Sequence, residues 1–155
     1  MKELFEALPQ VPFDRAKRYN LLDTCYVWHM LEHPKERKRM KARGSLAITS
    51  FTAKELEYTK KKVKSSDKHA LREFLKESGV VIISLPVEPG QVRKEKAFVA
   101  SIEPELLQHI PDASDAVIAA VALATKSDLY TKDKHHLFTA ELENFLNEHN
   151  VWVYH

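Results

Sequence analysis

The chain has 155 residues, 44% hydrophobic and 30% charged, the balance of one folded globular domain and not of a disordered or fibrous chain. No apolar run approaches the roughly 20 residues that span a bilayer, and acids fall in Met1-Lys2-Glu3-Leu4-Phe5-Glu6 where a secretory leader needs an apolar core. A single cysteine, Cys25, excludes an internal disulfide and any Cys-rich zinc module and points to the cytoplasm.

Residues 1–18, with Pro9 and Pro12, read as an N-terminal extension holding a short helix at 3–8, ahead of one domain over 19–155. Five apolar or β-branched runs then alternate with helical patterns: residues 19–23, 46–49, 80–85, 129–131 and 151–154. The run Val80-Val81-Ile82-Ile83-Ser84-Leu85, bounded by Gly79 and Pro86, has the continuous apolar character of a strand buried on both faces. Helices are expected over 52–64, 67–78, 113–125 and 140–149, with Gly79 as the stop of the second. The 113–125 segment is apolar almost all round and is expected at the centre of the molecule. Strands alternating with helices imply right-handed crossovers and a mainly parallel sheet covered on both faces.

Net charge is only +2, but it is unevenly spread. Residues 35–64 carry 11 Lys/Arg against 3 acids, whereas residues 101–155 carry 3 Lys/Arg against 9 acids. Basic surfaces attract phosphate backbones and acidic pockets attract divalent cations, although lysine-rich helix faces are also often merely solvated. The three glycines, Gly44, Gly79 and Gly90, are too widely spaced to cradle a phosphate, which excludes P-loop and dinucleotide-binding chemistry.

In open parallel sheets, ligands bind outside the carboxyl ends of the strands, and four acids fall there. Asp23 closes the first run, Glu55 lies in the helix after the second, Asp115 opens the buried helix, and Asp133 follows the fourth run. Carboxylates gathered at one rim repel one another unless a cation neutralises them, and an oxygen-only set suits Mg²⁺ or Mn²⁺ better than zinc. Each acid also has a structural explanation. Thr52-Ala53-Lys54-Glu55 reads as a capping box, Asp112 or Asp115 as a helix cap, and Asp133 as a turn residue. Asp23, at the end of an apolar strand, most needs a partner.

The series Asn20-Leu21-Leu22-Asp23-Thr24, Glu55, Asp115-Ala116-Val117-Ile118-Ala119-Ala120 and Leu129-Tyr130-Thr131-Lys132-Asp133-Lys134 resembles the PIN-domain nucleases, and within them the VapC-type toxin ribonucleases, over about residues 19–155. The resemblance implies an α/β fold, a three-layer α/β/α sandwich around a parallel five-stranded sheet. It implies a metal-dependent endoribonuclease in which Asp23, Glu55, Asp115 and Asp133 hold one or two Mg²⁺ or Mn²⁺ ions. Asp112, one turn before Asp115, is the alternative ligand. Thr131 takes the place of the family's hydroxyl neighbour and is expected to orient a water or phosphate. RNA as substrate, a small antitoxin protein as partner and a homodimer follow from the same resemblance. A non-catalytic RNA-binding or protein-interaction module of the same fold is the alternative.

Competing motifs are weaker. His29-Met30-Leu31-Glu32-His33 matches an inverted zinc-peptidase pattern, but Pro34 ends the helix at once. Cys25 with His29 lacks a third, orienting group and reads as packing. A phosphatase of the haloacid-dehalogenase type needs a second Asp where Cys25 stands, and a receiver domain needs a phosphoacceptor where Ser84-Leu85-Pro86 stands. His135 and His136 are expected on a surface loop near Asp133. The basic runs, Lys35–Arg43 with Arg37, Lys38, Arg39, Lys41 and Arg43, and Lys60–Lys64, are expected to contact RNA phosphate without reading bases, because no aromatics are interleaved with them.

Overall fold

The computed structural model describes residues 2–59, 64–132 and 139–155. Asp133, His135, His136 and most of the Lys60–Lys64 run therefore lie outside the described residues. The elements follow in order as α1 (Lys2–Ala7), β1 (Gln10–Pro12), β2 (Asn20–Leu22), α2 (Thr24–Glu32), α3 (Pro34–Arg43), β3 (Leu46–Thr49), α4 (Ser50–Thr59) and α5 (Ser65–Glu77). They continue as β4 (Val81–Ser84), α6 (Val92–Ile102), α7 (Leu106–His109), α8 (Ala113–Thr125), β5 (Asp128–Tyr130), α9 (Ala140–Glu148) and β6 (Val153–Tyr154).

The sheet is six-stranded in the order β1-β4-β3-β2-β5-β6, and every neighbouring pair is parallel. The expected sheet had five strands. The sixth, β1, comes from the segment read as an extension, which pairs Gln10, Val11 and Pro12 with Ile82, Ile83 and Ser84 of β4. An edge strand tolerates Pro12, whose missing amide removes no inner ladder bond. Leu4, Phe5 and Leu8 of the same segment are buried in the core, so residues 2–18 pack as part of the domain.

Successive strand residues feed opposite layers, as the pleat requires. Leu21, Ala47 and Ile83 face a core with Phe98, Val99 and the small apolar residues of α8 and with Leu142, Phe145 and Leu146 of α9. Leu22, Ile48 and Ile82 face a second core built with Tyr26, Val27 and Met30 of α2, Met40 of α3, Leu56 of α4, and Leu71 and Leu75 of α5. The result is the expected three-layer α/β/α sandwich. Each large aliphatic side chain fully buried in these layers contributes about 1.5–3 kcal/mol, enough in sum to offset the ordering of the chain. Gly79 sits at φ +63° after α5, a left-handed turn that favours glycine as the helix stop. Among the described residues, no helix is long and apolar enough to cross a membrane.

The parallel arrangement puts every strand's carboxyl end on one edge of the sheet. The chain leaves β2 into α2, β3 into α4, and β4 into the connection to α6 along that edge, so the first turns of those helices border it.

Candidate functional site: an acidic rim at the carboxyl edge

Asp23 leaves β2 and starts α2. Its extended backbone makes it the N-cap, and its Oδ1 accepts from the Tyr26 amide at 2.9 Å. The same oxygen accepts from the Cys25 thiol at 3.1 Å, and Oδ2 accepts from the Thr131 hydroxyl. Asp23 is 7% exposed and Thr131 is fully buried, so this contact lies under the surface. Backbone pairing sets its geometry: the Asp23 amide donates to Tyr130 at 3.2 Å, and the Thr131 amide donates to Tyr154 at 3.0 Å. Asp23 and Thr131, 108 residues apart in sequence, thus meet where β2 and β5 end side by side.

Glu55 does not close a capping box. The helix starts two residues earlier than expected, and Thr49 Oγ1 accepts from the Thr52 amide at 3.0 Å, so the Glu55 carboxylate is released from that duty. It turns to α2, where Oε1 accepts from the Thr24 hydroxyl at 2.9 Å. Burial first, and then the negative charges of Asp115, Asp23 and Glu95, push the Glu55 carboxyl above its ordinary value, and the Thr24 hydrogen bond pulls against them. These four acids therefore share one electrostatic environment.

Asp112 and Asp115 divide their tasks. Asp112 is the N-cap of α8, its Oδ1 accepting from the Ser114 amide at 2.9 Å and the Asp115 amide at 3.4 Å. Asp115 stands in the first turn, where the helix dipole favours a negative charge. Glu95, in the first turn of α6, was missed by the sequence reading. It is fully buried, and its Oε1 accepts from Ser114 Oγ at 2.8 Å. A sequence signal existed: Glu95 falls at helical spacing with Val92, Phe98, Val99 and Ile102, a carboxylate on an otherwise apolar face.

Cys25 supports the site and does not attack from it. Its thiol is pushed up to about 12, by burial first and then by the Asp23 charge, so it stays a protonated donor at neutral pH. The Lys132 amide donates to its sulfur at 3.3 Å.

The His29–His33 pair forms no zinc motif. α2 ends at Glu32, the two rings stack at 4.0 Å, and α3 begins immediately with Pro34. The basic run proves to be a whole helix, α3, whose charges are partly engaged within the protein. Arg39 pairs with Glu36 at 2.6 Å, Lys41 with Glu77 at 3.0 Å, and Arg37 donates to the Leu31 carbonyl at 3.3 Å. Arg43 lies over the rings of Tyr130 and Tyr154 at 5.5 and 5.8 Å, an aromatic contact the run itself did not disclose.

The donor set at the rim is all oxygen, which fits a hard divalent cation. Among the described residues Glu95 Oε2 is buried without a hydrogen-bond partner, and Glu55 is held above its ordinary value by burial first and then by its acidic neighbours, both consistent with a site short of positive charge. Among the described residues, no group of three His, Cys, Asp or Glu side chains stands close enough to form a ready ligand cluster.

No family model matches the sequence, and no curated protein matches it significantly. Solved structures do match in fold. A chain of the VapBC2 complex from Rickettsia felis, bound to a DNA fragment from its promoter, is 20% identical with a TM-score of 0.55, over 87% of this chain and 96% of that one. A chain of the DNA-bound VapBC complex from Salmonella typhimurium is 15% identical with a TM-score of 0.57, over 88% and 96% of the two chains. The chain is similar to these in its α/β architecture, the PIN-like sandwich expected from the sequence.

Proposed function

We propose that this protein is a metal-dependent endoribonuclease that hydrolyses RNA phosphodiester bonds, and that it serves as the toxin of a toxin–antitoxin pair. Asp23, Glu55, Asp115 and Asp133 would hold Mg²⁺ or Mn²⁺. Such an ion, when bound, lowers the pKa of a coordinated water and neutralises charge developing on the phosphodiester. The observation that supports the reading is where the acids stand: Asp23 at the end of β2 is held by Thr131 at the end of the neighbouring strand, Glu55 reaches back to Thr24 beside Asp23, and Asp115 opens α8 next to Ser114, which holds Glu95.

The remaining polar groups fix the carboxylates. Thr131 and Cys25 hold Asp23 from the β5 side and from α2, and Thr24 holds Glu55. The Asp112 cap fixes the first turn of α8 and so the direction of Asp115, a supporting role that leaves Asp115 as the ligand of the two. Thr131 orients a water or phosphate only by way of its hydroxyl, which is shared with Asp23. Arg37, Lys38, Arg39, Lys41 and Arg43 would supply RNA phosphate contacts. A small antitoxin protein as partner is proposed from likeness to chains of VapBC complexes. A homodimer and a cytoplasmic setting belong to the same reading.

A second reading, a non-catalytic RNA-binding or interaction module, is favoured by the absence of a ready ligand cluster among the described residues. Cleavage of a structured RNA in Mn²⁺ separates the two. The expected result is cleavage abolished by EDTA and brought to background by Asp23→Asn and by Asp115→Asn. Wild-type cleavage by folded Asp23→Asn protein, or Mn²⁺ binding without cleavage of any RNA, overturns the catalytic reading.

A further inference from the structure

Glu95 has no place in the acidic quartet, yet it is the most deeply buried acid among the described residues, with no exposed surface. The apolar face of α6 around it needs no charge: Phe98 and Val99, one turn on, pack into the core against α8. One oxygen is accounted for by the Ser114 hydroxyl at 2.8 Å. The other, Oε2, is buried with no hydrogen-bond partner among the described residues. A carboxylate oxygen left dry and unpaired is among the more destabilising arrangements a fold can hold. Ser114 does not explain it, because a half-exposed hydroxyl can be served by water at little cost.

Two facts place Glu95 beside the acidic rim. The residue that anchors Glu95, Ser114, is the immediate neighbour of Asp115, so the two acids are tied together through the first turn of α8. Glu95 is also one of the three acids whose charge reaches Glu55. The geometry points to Glu95 as a fifth oxygen donor of the acidic centre, with Ser114 fixing Oε1 and Oε2 offered to the divalent cation or to a water bound to it. This inference rests on the metal-dependent reading above. It deepens that reading by adding an acid from α6, which makes the α6–α8 contact part of the site.

The test is calorimetric titration of MnCl₂ into the full chain, stripped with EDTA, for wild type, Asp23→Asn, Glu95→Gln and Ser114→Ala. Glu95→Gln keeps an oxygen for Ser114 and loses the charge. It is expected to weaken Mn²⁺ binding by about 10- to 100-fold, the range seen when groups supporting a metal site are changed. Ser114→Ala, which unties Glu95, is expected to weaken it several-fold. In EDTA, Glu95→Gln is expected to melt no lower than wild type, since an unpaired buried anion has been removed; a merely structural Glu95 would give a lower melting temperature. Mn²⁺ affinity of Glu95→Gln within twofold of wild type overturns the inference. If that variant does not fold, wild-type affinity in Ser114→Ala overturns it instead. Weakened binding in Asp23→Asn alone leaves the metal-dependent reading standing without Glu95. A wild-type protein that binds no Mn²⁺ removes both.

Discussion

Replacing Thr131 by valine tests how the rim is held together. Valine keeps the branched shape of threonine, so the fully buried site is neither emptied nor overfilled. What disappears is the hydroxyl that donates to Asp23 Oδ2 and lies 3.6 Å from the Cys25 sulfur. A hydrogen bond to a charged group contributes about 1.5–3 kcal/mol. The added methyl returns a part of this by hydrophobic transfer, roughly 0.8 kcal/mol. The net expected loss is therefore about 1–2 kcal/mol. In a domain of this size, each kcal/mol lowers the melting temperature by roughly 2–4 °C, so a drop of about 2–8 °C is expected.

Thr131→Ser makes the opposite change, keeping the hydroxyl and losing the methyl at a cost of about 1 kcal/mol. The assay is urea denaturation of both variants in EDTA, because added metal would stabilise each protein by its own affinity and blur the comparison. The two should part company in function. Thr131→Ser should retain Mn²⁺ affinity and RNA cleavage, whereas Thr131→Val should lose much of both, Asp23 having lost a donor that fixes its orientation. A Thr131→Val protein as stable as wild type, with unchanged Mn²⁺ affinity, would refute the argument that this hydroxyl bears on the Asp23 charge.

Two more predictions follow from α3 and its neighbours. Burial pushes Glu36 up, but hydrogen bonds from Tyr26 and Arg39 outweigh it and hold the carboxyl below its ordinary value of 4.5. A carboxyl depressed on folding stabilises the fold above its unfolded pKa and loses that contribution as pH falls through the folded one. Glu36→Gln should thus cost about 1–2 kcal/mol at pH 7, and the cost should shrink as the pH falls through the lowered folded-state pKa, as read by urea midpoints across pH; a constant difference would mean the carboxylate is not what Tyr26 and Arg39 hold. For the basic surface, Arg37→Gln with Lys38→Gln should weaken RNA binding and flatten the slope of log K against log salt by about 1.4, at roughly 0.7 per single-strand phosphate contact. An unchanged slope would mark α3 as a solvated face, with Arg39 and Lys41 already engaged by Glu36 and Glu77.

The elements that the sequence disclosed share one property: their pattern reports burial directly. Val81–Ser84 and α8 are apolar on nearly every side because both their faces are covered, and Gly79 marks a stop because its backbone is left-handed. β1, α3 and α6 were hidden, each for its own reason. β1 is three residues long and ends in proline, which reads as a loop until β4 supplies its partner. α3 carries charge around most of its circumference, with Met40 as its buried contact, so composition spoke louder than period. α6 has its stripe interrupted by Glu95, the residue that matters most on it. Asp23 and Asp115 were placed from the sequence at a strand end and in a helix first turn, where the structure has them. The capping box that was the plain explanation of Glu55 does not form, because the amide of Thr52 is capped by Thr49, three positions earlier.

The rim also shows how a fold can tolerate several acids in one place. Asp23 is the N-cap of α2, Glu95 stands in the first turn of α6, and Asp115 in the first turn of α8. Each helix N-terminus presents unpaired amides and a positive dipole end, worth about 0.3–1 kcal/mol to a nearby anion. Three of the acids are therefore placed where the backbone itself supplies part of the missing positive charge. Glu55 is the exception. It lies in the second turn of α4, beyond the reach of that helix's free amides, with a single threonine hydroxyl for company. Burial and the other three charges push its carboxyl upward. The same reasoning says where a cation would be felt most. Helix ends already soften the field at Asp23, Glu95 and Asp115, so the largest change on adding positive charge falls on Glu55, the acid with the least backbone help.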